Sequence, residues 1–186
     1  MPSDFAQLHT HLDVYASRWP DEAASVLTFS EFLRSNSAVF KRRFPAGHFT
    51  GSAWLVSADG ARVLLMHHRK LGLWLQPGGH ADGDADLAGV ALREAQEETG
   101  VVGLRVENEI FDIDRHRIPA RANEPEHWHY DVRYVVRAGE DERFVVNEES
   151  QVLAWRLVAD VAADSNFDAS LRRMAHRWLA RNDVGA

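Results

Sequence analysis

Apolar residues recur every three or four positions near both ends of the chain and in shorter, denser runs between them. Phe5, Leu8, Leu12 and Tyr15 keep a helical spacing, which predicts a helix over residues 3–17. Phe29, Phe32, Leu33 and Phe40 repeat it less regularly and predict a second helix over 28–40, with Thr28 or Ser30 as its cap. Trp19-Pro20 reads as a break between the two, because a residue before proline avoids helical geometry. From residue 48 the pattern changes. Phe49–Ser57 and Arg62–His67 read as strands joined by Ala58-Asp59-Gly60, a hairpin signal. Leu73-Trp74-Leu75 is a short strand that stops at Pro77-Gly78-Gly79. Residues 86–99 read as a helix closed by Gly100 in a left-handed cap. Strand-like runs follow near 103–115, 128–137, 143–146 and 152–157. A last amphipathic helix covers about 168–181, with Leu171, Met174, Ala175, Trp178 and Leu179 on one side. Helices and strands do not alternate, so the pattern is α+β with a helical extension at its start.

Composition narrows what such a fold does. The chain has 186 residues, 45% of them hydrophobic, enough for one domain with a core and a small extension. It has no cysteine, which excludes disulfides, a thiolate nucleophile and a cysteine zinc site. A formal net charge of −7 argues against nucleic acid as a partner, since backbone phosphates are held by clustered Lys and Arg. A small anionic substrate stays compatible where divalent cations stand between it and the protein. No apolar run reaches transmembrane length, and Met1-Pro2-Ser3-Asp4 lacks the basic start of a signal peptide. A cytoplasmic location is the expectation, with no membrane partner.

The most informative stretch runs from Gly78-Gly79-His80 through Asp84 to Arg93-Glu94-Ala95-Gln96-Glu97-Glu98-Thr99-Gly100-Val101. On a helix Glu94, Glu97 and Glu98 fall within an arc of roughly 100°, beside an apolar arc of Ala88, Ala91, Leu92 and Ala95. Like charges so placed weaken an isolated helix, and a hard divalent cation is a natural compensation. A solvated acidic face is the plainer alternative.

The flanks add to this. The stretch resembles the signature of the Nudix hydrolase family. Gly79 matches its first glycine, and Arg93, Glu94, Ala95, Glu97, Glu98, Gly100 and Val101 fit the rest in register. Ala85 departs from it, standing where the family has its first Glu, between Asp84 and Asp86, either of which could cap the helix instead. The resemblance covers roughly residues 47–160. It implies an α/β/α sandwich with a mixed sheet over 46–186, preceded by the helical extension 1–45. It also implies hydrolysis of a diphosphate linkage in a nucleoside diphosphate derivative. Glu94, Glu97 and Glu98, with the Gly79 carbonyl, would hold Mg²⁺ or Mn²⁺, and Arg93 would orient a carboxylate. The family has no fixed base; Glu148 or Glu149, in an acidic loop after Val146, is one choice and Glu98 another.

Other residues have two readings each. In Glu124–Asp131, strand alternation puts His127, His129 and Asp131 on one face and Trp128 and Tyr130 on the other. With His116 and Arg117 they could contact substrate, or form a packed, half-exposed strand. Three histidines are also compatible with zinc, though spacing does not decide it. His67 and Arg69, at a basic hairpin end, could attract phosphate or be a solvated turn. Trp74 and Trp155 read as core. The N-terminal helices could cover the sheet or form a homodimer contact. Triphosphate or non-nucleotide diphosphate hydrolysis, a ligand sensor that has lost turnover, and a purely structural protein are the alternatives to the diphosphohydrolase.

Overall fold

The computed structural model describes residues 2–68, 72–120, 124–146 and 150–183. Seven strands form one mixed sheet: β1 (Gly47–Val56), β2 (Arg62–His68), β3 (Trp74–Leu75), β4 (Gly78–His80), β5 (Arg105–Ile118), β6 (His127–Arg137) and β7 (Ser150–Leu157). β1 is the axis. It runs parallel to β6 from Gly47↔Trp128 to Val56↔Arg137 and meets β2 antiparallel at Val56↔Val63. Where β1 parts from β2, β4 pairs with it instead, at Thr50, Gly51 and Ser52. β5 lies antiparallel beyond β6, and β3 and β7 flank β2.

Because side chains alternate along a strand, β1 and β6 supply two different faces. Phe49, Ala53 and Leu55, with Tyr130, Val132, Tyr134 and Val136, join one core. It is covered by α1 (Pro2–Arg18), α2 (Ala23–Ser35) and α3 (Leu87–Thr99). Trp54, Val56 and Val135 face the other way, toward α4 (Val158–Ala163) and α5 (Ala169–Asp183). The result is the expected α/β/α sandwich. The N-terminal helices do cover the sheet: the Phe32 ring stacks on Tyr130 at 3.7 Å, and Phe29 meets both Tyr130 and Phe49. Trp74 and Trp155 are partly buried against the two cores.

Four elements differ from the expectation. The second helix spans Ala23–Ser35 rather than 28–40, because the 3₁₀ turn Pro20–Glu22 feeds directly into it. It stops where Asn36 turns extended and its side chain accepts from Ala38 N. Residues 78–80 form β4 instead of ending a strand. A Cβ on Gly78 would lie 2.2 Å from Ser52 Oγ, so only glycine lets the backbone come this close. Residues 143–146 are not a strand; Phe144 packs on the core and Val145 N donates to Thr99 O. The six-residue α4 was not anticipated, although Val158, Val161 and Ala162 are its buried positions at helical spacing.

Candidate active site

α3 is built by its two ends and its seat on the sheet. Asp86 is the N-cap, its carboxylate accepting from Gly89 N at 3.0 Å, and Asp84 accepts from Asp86 N. Ala85 is half-buried against the core. At the far end Gly100 adopts φ 67° and donates to Gln96 O, a left-handed C-cap. Leu87, Ala88, Val90, Ala91 and Ala95 are buried. At Gly51 a Cβ would lie 2.7 Å from Leu87 O, so the helix rests on the bare backbone of β1.

This seat brings the border of α3 against β4. A Cβ on Gly79 would lie 2.4 Å from the carboxylate of Glu94, so the glycine makes a cradle that the carboxylate fills. Glu98 Oε2 accepts from Gly78 N at 2.9 Å. Glu94 and Glu98 are half-buried, whereas Glu97, one turn along from Glu94, is exposed. Arg93 lies between Asp84 (3.8 Å) and Glu94 (3.7 Å). A charge at that distance orients a carboxylate without closing a tight pair. The donor set is all hard oxygen, and two half-buried carboxylates beside the β4 backbone, with an exposed third on the same helix, suit a cation that keeps several waters.

The remaining expected site residues fall in two other places. Glu148, Glu149 and Arg69 lie outside the described residues. Residues 143–146 run past the C-terminus of α3, where Val145 N bonds Thr99 O at 2.8 Å. His67 is half-buried on β2, with its ring edge-on to Trp74 at 5.3 Å. His116, His127 and His129 are brought together, but on the opposite face of the sheet from Glu94. Arg117 is exposed and paired with Glu126.

That opposite face grades from imidazole to acid to arginine to apolar. His48 on β1 and His80 on β4 join His127 and His129, with ring centroids 4.7–5.2 Å apart. Burial first, then neighbouring imidazoles, lower His48 to about 3 and His129 to about 2; burial and Arg42 lower His80 as well. Next along β1, Thr50 and Ser52 donate to Asp131 Oδ1 at 2.8 and 2.7 Å. Asp131 Oδ2 accepts from the buried Arg133, which also reaches Asp112 and Asp114. Asp112 in turn accepts from Arg173 and Arg177 of α5. Sequence reading did not find His48, His80 or this ionic network. Alternation along each strand was a usable signal for facing, but nothing local says that β1 lies parallel to β6.

Comparison with known proteins bears on the whole domain. A family model described as NUDIX domain matches residues 47–178. Two Mycobacterium tuberculosis strains carry a relative named "Putative 8-oxo-dGTP diphosphatase 3", 32% identical over 131 residues, 62% of this chain and 55% of the relative. The chain thus spans about half the length of the curated relatives it matches. Among solved structures, a NUDIX-family hydrolase from Clostridium perfringens superposes with TM-score 0.57 at 24% identity, over 72% of this chain and 97% of that one. A C. elegans Ap4A hydrolase does so with TM-score 0.58 at 16% identity, over 73% and 98%. At these identities the two structures speak for the fold.

Proposed function

This chain belongs to the NUDIX domain family, and from that premise we propose that it is a Mg²⁺-dependent hydrolase of a diphosphate linkage in a nucleoside diphosphate derivative. The observation that carries the reading is the joint hold on β4: Glu94 fills the cradle at Gly79 while Glu98 accepts from Gly78 N. Glu94, Glu97 and Glu98, with the Gly79 carbonyl, would hold Mg²⁺, or Mn²⁺ in its place. When bound, such an ion neutralises charge on non-bridging phosphate oxygens and lowers the pKa of a bound water. The chain's own part is to fix that ligand set. Asp86 and Gly100 cap the helix, and Arg93 steadies Glu94 from the side. A base must come within hydrogen-bond reach of the attacking water. Glu148 or Glu149, three and four residues after Val145 at the end of α3, is one candidate, and Glu98 is the other. His67, on β2 opposite Trp74, and Arg69, two residues on in the sequence, are the proposed phosphate-facing side chains.

The diphosphatase name of its curated relative supports nucleotide-derived compounds as the first to try. The test is a panel of nucleoside diphosphate derivatives, dinucleotides and nucleoside triphosphates with Mg²⁺, scored by monophosphate, diphosphate or phosphate release. Glu98→Gln should lower kcat by about a hundredfold or more on whichever compound is turned over. Unchanged turnover in both Glu97→Gln and Glu98→Gln would end the proposal. Tight binding of a panel member with no hydrolysis would instead favour a sensor, the reading that Ala85 leaves open.

A further inference from the structure

Among the described residues, the group of three or more possible ligands that closes to metal-binding proximity is not the carboxylate set. It is His48, His80 and His129, whose ligand nitrogens all lie within 4.8 Å of one another. We propose that these three imidazoles form a second metal site, for a borderline cation such as Zn²⁺, which ties β1, β4 and β6 together on the sheet face opposite the α3 carboxylates.

Two independent observations point to a ligand. His48 is fully buried, yet neither Nδ1 nor Nε2 has a hydrogen-bond partner. A buried polar group left so is costly, and native structures satisfy nearly all of them. A metal bond to one nitrogen satisfies it. Second, His127 Nδ1 lies 2.8 Å from Pro125 O, the arrangement that fixes a tautomer with Nδ1 protonated and Nε2 bare. That Nε2 lies 3.3 Å from His129 Nε2. This hydrogen bond holds His129 beside His48 and His80; His127 itself is not among the nitrogens that close to 4.8 Å, so water takes the fourth position. Tetrahedral zinc with nitrogen bonds of about 2.0–2.1 Å needs nitrogens about 3.4 Å apart, so nitrogens at the 4.8 Å limit must close by about 1.4 Å. That movement falls to the half-buried rings of His80 and His129, with the fully buried His48 held in place. An all-imidazole set selects zinc, copper or nickel over magnesium, so the two sites do not compete for the same ion. The consequence for the fold is direct, since His80 follows Gly79. Fixing His80 from one face of β4 fixes the Gly79 cradle on the other.

The test uses the full chain stripped with a chelator and titrated with Co²⁺, then Zn²⁺, with no nucleotide present. One equivalent of Co²⁺ should give the intense visible absorption of a nitrogen-ligated four- or five-coordinate ion, and one equivalent of Zn²⁺ should displace it and raise Tm. His80→Gln and His129→Gln should each weaken Zn²⁺ binding at least a hundredfold, while Glu94→Gln and Glu98→Gln should leave it within about twofold. Only the weak spectrum of six-coordinate Co²⁺, or binding that survives the histidine variants or disappears with the glutamate variants, would overturn the site. The wild-type spectrum decides by itself if a histidine variant fails to fold. The glutamate variants keep this outcome separate from the hydrolase reading.

Discussion

Gly78 and Gly79 are neighbours with different constraints, and the difference separates fold from chemistry. At Gly79 the obstruction to a Cβ is the end of the flexible Glu94 side chain, whereas at Gly78 it includes the backbone of Ser52, 2.9 Å away. Gly79→Ala should therefore leave Tm within the equivalent of about 1 kcal/mol but push the Glu94 carboxylate aside. Mg²⁺-dependent turnover should then fall tenfold to a hundredfold, on the order expected when a reacting group is misplaced by about 1 Å. Gly78→Ala should cost about 1–3 kcal/mol of stability, because a β-strand backbone has to move. Melting curves and steady-state kinetics on the two variants check this. Equal loss of stability in both would mean that Glu94 is not seated as described.

At the scale of elements, the ionic network binds three of them: Asp112 and Asp114 on β5, Arg133 on β6, and Arg173 and Arg177 on α5. Burial raises the Asp114 carboxyl, but the hydrogen bond from His116 and the charges of Arg133 and Arg173 outweigh it and bring the group down to about 2. Its ordinary value is near 3.9. A folded value below the unfolded one means stability that is present above about pH 4 and lost as pH falls toward 2. Asp114→Asn should thus be less stable than the parent by about 2 kcal/mol at pH 7, with the gap closing between pH 4 and 2; Tm against pH for both proteins measures it. A gap that persists at pH 2 would assign the loss to packing. This network also shows where sequence reading stops. The α3 box was legible because its spacing, caps and acidic strip are local to one helix. The two faces of β6 near His127–Asp131 were legible from alternation. The meeting of His48 with His129 depends on a parallel β1–β6 pairing some 80 residues apart, and that of Asp112 with Arg173 on the packing of α5 over β5. The shift of α2 had a local cause that its spacing hid, because Phe40 reaches the core from a turn after the helix has ended.

For the molecule as a whole, the division into an extension of residues 1–45 and a domain from 46 onward describes the sequence better than the packing. Phe29 and Phe32 lie on Phe49 and Tyr130, so α2 is one wall of the core under β1 and β6. From the other side of the sheet, Arg177 of α5 donates to Tyr15 Oη at 2.7 Å and pairs with both Glu22 and Asp112. The first helices are therefore fastened around the β5 edge to the last one. Removing them would expose a broad aromatic face and strip Arg177 of two partners. Burial of that kind is the main favourable term in folding, and a buried Phe→Ala change alone costs about 3–5 kcal/mol. Against a typical net stability of about 5–15 kcal/mol, a chain starting at residue 46 should not fold on its own, even though it contains every proposed catalytic residue. Expressed separately, it should be aggregated or lack a cooperative melt. Phe29→Ala in the full chain should fold with a Tm lowered by the equivalent of about 3–5 kcal/mol. A soluble 46–186 fragment that melts cooperatively and hydrolyses the same compound at the parent rate would show that the helices are accessory, and the sheet would then need another account of what shields Phe49 and Tyr130.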